Sequence, residues 1–365
     1  MDEVSRVPAN AGSPHSYGDR AAEFLDRSRS IISSAIGCTA SEIVFTSGAT
    51  EANNIAILGS ASCALKRGRR KIIVSAAEHK SVLAPARELA RRGFVVREIP
   101  LHKSGEVDLE RFVREIDDEV LIVSIMLANN VTGIIQPVAR IASAARARGA
   151  SIHCDAAQAV GKVPVNVSDL GIDYLSISAH KVHGPMGVGA LFISGDAPPL
   201  TPLIFGGGQE GGLRSGTVPV PLVVGFANAL GEAIESLEAN AKRAEMLADQ
   251  LVQNLRRHQV RLIRLGENTP KLPGSIAALF ADIEADDLVA RLNGRVQLSA
   301  GSACETGSVE PSHVLAAMGL TAHEARSFIR ILIDPALSEA AGDCAATMIS
   351  NAYAKAVLAT GDLHQ

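Results

Sequence analysis

The chain has 365 residues, 47% of them hydrophobic, and a formal net charge of -4. That length exceeds one compact core of ordinary size and predicts one large and one small domain. The charge gives no electrostatic case for direct contact with nucleic acid or an anionic membrane, and no apolar run is long enough to span a bilayer. The start, Met1 to Arg6, carries no apolar signal core. Five cysteines, Cys38, Cys63, Cys154, Cys304 and Cys344, are scattered without a C-x-x-C pair. No metal site is expected, and the thiols read as free in a reducing cytoplasm. The basic run from Lys66 to Lys71 reads as a solvated helix end and turn.

In chain order, Glu42 to Phe45 predicts a strand and Glu51 to Lys66 a helix. Between them Thr46-Ser47-Gly48-Ala49-Thr50 reads as a phosphate cradle at a helix N-terminus, or as an ordinary start capped by Thr50. Lys71 to Ser75 is a strand, and a helix runs from about Ser81 to Arg92. Ahead of that helix stands His79, whose ring suits stacking on a cofactor or a structural hydrogen bond. Strands are expected over 94–99 and 120–125, the latter followed by the turn-forming pair Asn129-Asn130. A helix over 138–148 precedes a strand at Ser151 to Cys154, which Asp155 ends. Two more strands, 174–178 and 189–194, complete a mostly parallel sheet covered on both faces.

Gly206 to Gly212 contains no dinucleotide fingerprint and reads as a loop of unusual backbone geometry. One long helix is expected over 221–257, and the small α+β domain follows. That domain has strands at 275–280, 296–298 and 329–333 and helices near 282–292 and 338–358. Arg330 lies inside its last strand, where an ion pair or a carboxylate clamp are both open. Ser299 to Ser308 surrounds Cys304 with small residues, which suits a travelling thiol nucleophile or an incidental loop cysteine. The other four cysteines are expected to be buried. The boundary falls at 240, giving a large domain 1–240 and a small domain 241–365.

The most informative stretch is Ser178-Ala179-His180-Lys181-Val182-His183-Gly184-Pro185 read with His153-Cys154-Asp155-Ala156-Ala157-Gln158. A lysine at the end of an apolar strand is costly to bury unless it is used or paired. A lysine and an aspartate at consecutive strand ends are what a pyridoxal 5'-phosphate site needs: an amine for the aldehyde, and a counter-charge for the pyridine nitrogen.

Together the segments SGATEANN, AAEHKSVL, IMLANNVTG, HCDAAQAVGK, SAHKVHGP, GGGQEGGLRSGT and GSACETGSVEPSHVL, in this order, resemble the cysteine desulfurases. The likeness runs from about His15 to Arg330. It implies an α/β pyridoxal-phosphate transferase fold of type I, class V: a mostly parallel seven-stranded sheet in the large domain, plus a small α+β domain with the mobile cysteine loop. It implies a homodimer that converts L-cysteine to L-alanine, with sulfur passing to an enzyme persulfide and then to an acceptor protein, as in iron-sulfur cluster biogenesis. By resemblance Lys181 bonds the cofactor, Asp155 pairs the pyridine nitrogen, and Gln158 donates to the phenolic oxygen. Asn130 lies near that oxygen and the substrate carboxylate, and His79 stacks on the ring. Ala49, Thr50, Ser178 and His180 bind phosphate, joined by Thr217 from the partner subunit. Arg330 binds the substrate carboxylate, and Cys304 attacks the substrate sulfur.

The chain departs from the family in three places. The sequence begins too late to contain the usual opening of the type Y-L-D-N-A-A-T-T ahead of His15, its start being truncated or that piece of the substrate site genuinely lacking. Ile331 to Pro335 replaces a small-residue strand and G-R-x-T, and Gly212 stands where an arginine is common. The rival readings are a selenocysteine lyase acting on L-selenocysteine, which Ile125 to Asn130 also fits, an aminotransferase-like enzyme for which Cys304 is incidental, and a degenerate paralogue.

Overall fold

The computed structural model describes the chain apart from residues 1–3, 5–9, 302–311 and 363–365. Two compact units emerge. The first comprises Met1–Ile99, Asp108–Ala128 and Gln136–Leu237; the second comprises Pro100–Val107, Asn129–Ile135 and Glu238–Gln365. Pro100–Val107 and Asn129–Ile135, the latter including Asn130, therefore group with the second unit, whose main segment starts at Glu238.

In the first unit α1 (Ser16–Ile36) begins at His15, whose Nδ1 accepts the Gly18 amide. Then follow β1 (Ile43–Thr46), α2 (Ala49–Arg67), β2 (Lys71–Ser75), α3 (Lys80–Arg91), β3 (Val95–Ile99), α4 (Leu109–Glu115), β4 (Val120–Ser124), α5 (Val138–Ala147), β5 (Ser151–Asp155), α6 (Val167–Leu170), β6 (Tyr174–Ser178), β7 (Gly189–Ile193) and α7 (Val220–Glu235). The strands form a seven-stranded sheet in the order β1-β7-β6-β5-β4-β2-β3. Only β7 runs against its neighbours, β1 and β6; the other pairs are parallel. Strands β2, β4, β5 and β6 are buried along their whole length, as expected of a sheet covered on both faces, β5 taking Ser151, His153 and Asp155 into the interior with it. Ile55, Ile72, Val82, Leu89, Ile122 and Tyr174 share one core under α2 and α3.

The second unit begins in α8 (Leu237–Arg257) and adds β8 (Leu262–Arg264), β9 (Ser275–Phe280), α9 (Ala285–Leu292), β10 (Ser299–Ala300), α10 (His313–Ala317), α11 (Ala322–Arg326), β11 (Phe328–Leu332) and α12 (Glu339–Asp362). Its antiparallel sheet has the order β10-β11-β9-β8. The core joins Leu251 and Leu255 of α8 to Phe280, Ile329, Ile349 and Tyr353.

The expected single helix over 221–257 is two, because α7 stops at Glu235 and α8 starts at Leu237. Val223, Phe226 and Leu230 bury into the first unit, whereas Leu247, Leu251 and Leu255 bury into the second, so the two apolar faces serve different cores. The strand expected at 296–298 is not formed; pairing with β11 occurs one step later, at Ser299–Ala300. Among the described residues no single helix is long and apolar enough to cross a membrane.

Candidate active site

Strands β1, β2, β5 and β6 point the same way, so the segments that leave them gather at the carboxyl edge of one sheet. Ligand sites in open α/β sheets lie at that edge. Strand pairing sets β5 beside β6, bringing Asp155 at the end of one next to Lys181 in the 3-10 turn Ala179–Val182 that follows the other.

Asp155 is 5% exposed. Its Oδ1 accepts the Ala157 amide at 2.9 Å and its Oδ2 accepts the Asn53 side-chain amide at 2.8 Å. Desolvation raises its pKa, against those two hydrogen bonds and the positive fields of His79 and Lys181. A carboxyl so placed is short of positive charge. Asn53 comes from α2, and its second amide hydrogen goes to Ser81 Oγ at 2.8 Å. Ser81 Oγ in turn lies 2.8 Å from His79 Nδ1, which accepts the Ser81 backbone amide at 3.1 Å. The δ nitrogen being an acceptor, the neutral His79 ring carries its proton on Nε2. Asn53 Oδ1 is buried with no partner among the described residues.

The turn after β1 is where a phosphate cradle, or an ordinary capped helix start, is expected. Gly48 has φ +148, a conformation side chains rarely adopt, and a Cβ built there would lie 3.6 Å from Ser178 Oγ. A Cβ on Gly189 would meet the Gly48 Cα at 2.6 Å, so two glycines let β7 and the turn approach. Ser178 Oγ pairs with His180 Nδ1 at 2.9 Å. The hydroxyl of the β6 end thus faces the start of α2, where Ala49 and Thr50 offer first-turn amides. Burial, then the charges of Lys181 and Lys162, lower the His180 pKa.

Glu51 closes the cradle. It accepts the Ser47 amide at 2.6 Å and Arg214 Nε at 2.8 Å. Burial opposes its charge, but these partners prevail and its pKa is lowered. Arg214 belongs to the glycine-rich loop, as do the left-handed Gly208, Glu210, Gly211, Gly212 and Gly216. Glu210 bonds the Arg29 guanidinium and takes the Phe45 amide at 2.7 Å, fastening this loop to α1 and β1. Thr217, at the loop's end, is exposed.

Behind Asp155, Cys154 and His153 are fully buried. His153 Nδ1 meets Ser124 Oγ at 2.7 Å and Nε2 meets Ser176 Oγ at 3.0 Å. Burial pushes its pKa down to about 3 from 6.5. Below pH 6.5 the unfolded chain takes up a proton that the folded chain refuses. The stabilisation is therefore complete above that pH and lost toward lower pH, at about 1.4 kcal/mol per unit. His153→Asn is expected to lower stability and remove one proton's slope from the acid limb; urea unfolding at a series of pH values measures it, and an unchanged slope contradicts the assignment.

In the second unit Arg330 Nη1 donates to the Asn130 carbonyl at 2.6 Å and Nη2 to Ser299 Oγ at 3.0 Å. Asn129, buried beside Asn130, accepts from the amides of Val131 and Thr132 and shapes the turn. The structure thus brings Asp155, His79, Gln158 and Lys181 into one unit with Ala49, Thr50, Ser178, His180 and Thr217, and brings Arg330 to Asn130 in the other. Cys304 lies outside the described residues. Two of the remaining cysteines correct the expectation of burial: Cys344 is exposed and Cys38 half-buried. Asn53, Ser81, Glu51, Arg214 and Glu210 were not singled out in the sequence; a polar Asn53 on the buried face of α2 was the available signal.

A buried carboxyl short of positive charge, a lysine on the adjacent strand end and a glycine cradle at a helix start define a site for a phosphorylated pyridine aldehyde. The donor set fits pyridoxal 5'-phosphate. The model of the aminotransferase class-V family matches residues 1–336. A cysteine desulfurase of Mus musculus is 43% identical over 325 residues, covering 87% of this chain and 70% of that protein. A solved NifS-like protein superposes with a TM-score of 0.88 at 35% identity, covering 97% of this chain and 96% of its own. SspA, solved in complex with cysteine, gives a TM-score of 0.79 at 35% identity over 92% of this chain and 96% of its own. The chain belongs to the cysteine desulfurases, the pyridoxal-phosphate enzymes of aminotransferase class V that move sulfur from cysteine.

Proposed function

We propose that this chain takes the sulfur of L-cysteine onto Cys304 as a persulfide, releases L-alanine, and passes the sulfur to an acceptor protein. When bound, pyridoxal 5'-phosphate supplies the electron sink for charge that develops on the substrate carbons. Lys181 holds the cofactor and moves the proton at the substrate α-carbon. Asp155, buried and held by Asn53 and the Ala157 amide, gives a pyridine nitrogen the counter-charge that keeps it protonated. His79 covers the ring and Gln158 donates to its phenolic oxygen. Ala49, Thr50, Ser178 and His180 receive the phosphate, and Arg330 takes the substrate carboxylate with Asn130 beside it. The thiolate of Cys304 attacks the substrate sulfur; the carbon–sulfur bond breaks, its electron pair stays with carbon, and a proton then completes alanine.

The observation that carries this reading is the meeting of Asp155, at the end of β5, with Lys181 in the turn just past the adjacent β6. Mass spectrometry after exposure to L-cysteine tests it: one sulfur atom is expected on the peptide containing Cys304, with one alanine per sulfur transferred. Keto acid without added sulfur overturns it. Asp155→Asn is expected to retain the fold and lower alanine release by about 10²- to 10³-fold, the scale on which removing one preorganised charge partner registers. Unchanged turnover with bound cofactor excludes Asp155 from the chemistry.

The reading extends to a homodimer in which Thr217 completes the phosphate site of the partner subunit. Exposed Ile204 and Phe205, 42% and 79% accessible, lead directly into the glycine-rich loop and support an apolar contact there. Phe205→Glu is expected to shift the mass in solution toward a monomer and weaken cofactor binding; a dimer of undiminished stability counts against this interface. The free thiols of Cys38, Cys154 and Cys344 suit a reducing cytoplasm, and an iron-sulfur scaffold is the acceptor proposed.

A further inference from the structure

Lys162 acts on His180 through its charge but has no assigned role, although its amine lies against Gln158. Its Nζ lies 3.2 Å from the Gln158 carbonyl and 3.4 Å from Gln158 Oε1. The lysine is half-buried at the end of the turn that follows β5, four residues beyond Gln158. Burial, then the neighbouring charge of Lys181, bring its amine down to about 8. Keeping an ammonium this close to a second one is unfavourable unless the charge is used.

The use follows from hydrogen-bond chemistry. A side-chain amide has one acceptor end and one donor end of almost the same shape, and only its partners decide which way it faces. An ammonium donates and cannot accept. With Lys162 on one side, Gln158 must turn Oε1 toward Nζ, which leaves Nε2 as the end presented elsewhere. An amide turned the other way would set its carbonyl oxygen against an anionic cofactor oxygen, replacing attraction by repulsion.

We infer that Lys162 is a positioning residue that fixes the Gln158 amide as a hydrogen-bond donor to the phenolic oxygen of pyridoxal 5'-phosphate. The inference rests on the proposed placement of Gln158 against that oxygen, and the experiment separates the two. The full chain is stripped of cofactor and titrated with pyridoxal 5'-phosphate, reading the dissociation constant and the position of the visible absorbance band. Four variants are compared: Gln158→Leu, Lys162→Met, the double substitution, and Lys162→Arg, which keeps a donor-only cation. Gln158→Leu and Lys162→Met are each expected to weaken binding roughly ten-fold, the scale of one hydrogen bond to a charged acceptor. Both are expected to displace the band alike. The double variant is expected to be no worse than either single one, because Lys162 acts through Gln158. Lys162→Arg is expected to restore binding to within about three-fold of the wild type on the same hydrogen-bond scale. A purely structural lysine would give additive losses and leave the band in place.

If Gln158→Leu moves both readouts and Lys162→Met moves neither, the inference is overturned while the Gln158 placement stands. Equal losses from Lys162→Met with and without Gln158 overturn it as well. If Gln158→Leu itself moves neither readout, the placement of Gln158 falls and takes the inference with it. Unfolding midpoints are measured alongside. Should Lys162→Met fail to fold, Lys162→Gln replaces it: its amide can also accept, so the same non-additivity is expected and additivity overturns the proposal.

Discussion

Lys181→Ala is expected to yield a folded protein in which borohydride fixes no cofactor to the chain. Alanine release from L-cysteine should fall by at least about 10³-fold, within the range seen when a positioned nucleophile or proton-transfer group is removed. The lysine follows β6 directly, and β6 pairs with the strand that ends at Asp155. A substitute amine does exist nearby, since the Lys162 amine is brought down to about 8 by burial and by Lys181. Its hydrogen bonds, however, go to the carbonyl and side chain of Gln158, and the positive fields acting on Asp155 are those of His79 and Lys181. Peptide mapping after borohydride reduction of the wild type separates the two. Cofactor on the Lys181 peptide is expected; cofactor on the Lys162 peptide, or retained by Lys181→Ala, contradicts the assignment.

Cys304→Ser is expected to bind cofactor and L-cysteine normally while losing persulfide formation altogether. A serine hydroxyl is ionised far less readily than a thiol and is a poor acceptor of sulfur. Cys154 cannot replace it, being fully buried beside Asp155 and Glu78, with burial first and those carboxylates next raising its thiol pKa far above the usual range. The Cys38 thiol is pushed up to about 12 by burial and by Glu42. Cys344 is exposed on α12, so its reaction with free sulfide or with reagents has to be told apart from turnover. The measurement is therefore sulfide and alanine release together with the location of bound sulfur in the wild type and the variant. Persulfide formed at wild-type rate on Cys344 or Cys154 in the variant would remove Cys304 from the mechanism.

The strands were legible because their signal is local. Lys71 to Ser75, Tyr174 to Ser178 and Ser275 to Phe280 are short apolar runs bounded by turn residues, and each forms a strand with the expected ends. The break at Ser236 was not legible, because helical spacing of apolar residues continues across it while the two halves bury against different cores. The strand expected at 296–298 failed for a related reason: β10 is defined by its pairing with Ile329 and Arg330, not by its own apolar content. The helix expected near 338–358 forms as α12, whereas the short helices α10 and α11 were not expected from the sequence.

What the sequence alone offered was residue types in local patterns: a lysine and an aspartate near strand ends, a glycine turn opening a helix, and a cysteine among small residues. Those are choices of residue type beside a local pattern, and local patterns survive in one dimension. Tertiary structure alone decided which strand ends are neighbours. The order β1-β7-β6-β5-β4-β2-β3 puts Asp155 beside the Lys181 turn and carries Gly48 to Ser178. It also brings Asn53 to Asp155 across 102 residues and Glu210 to the Phe45 amide across 165. Periodicity does not encode such pairings. They follow from strand order and from the requirement that buried polar groups find partners wherever the fold has placed them.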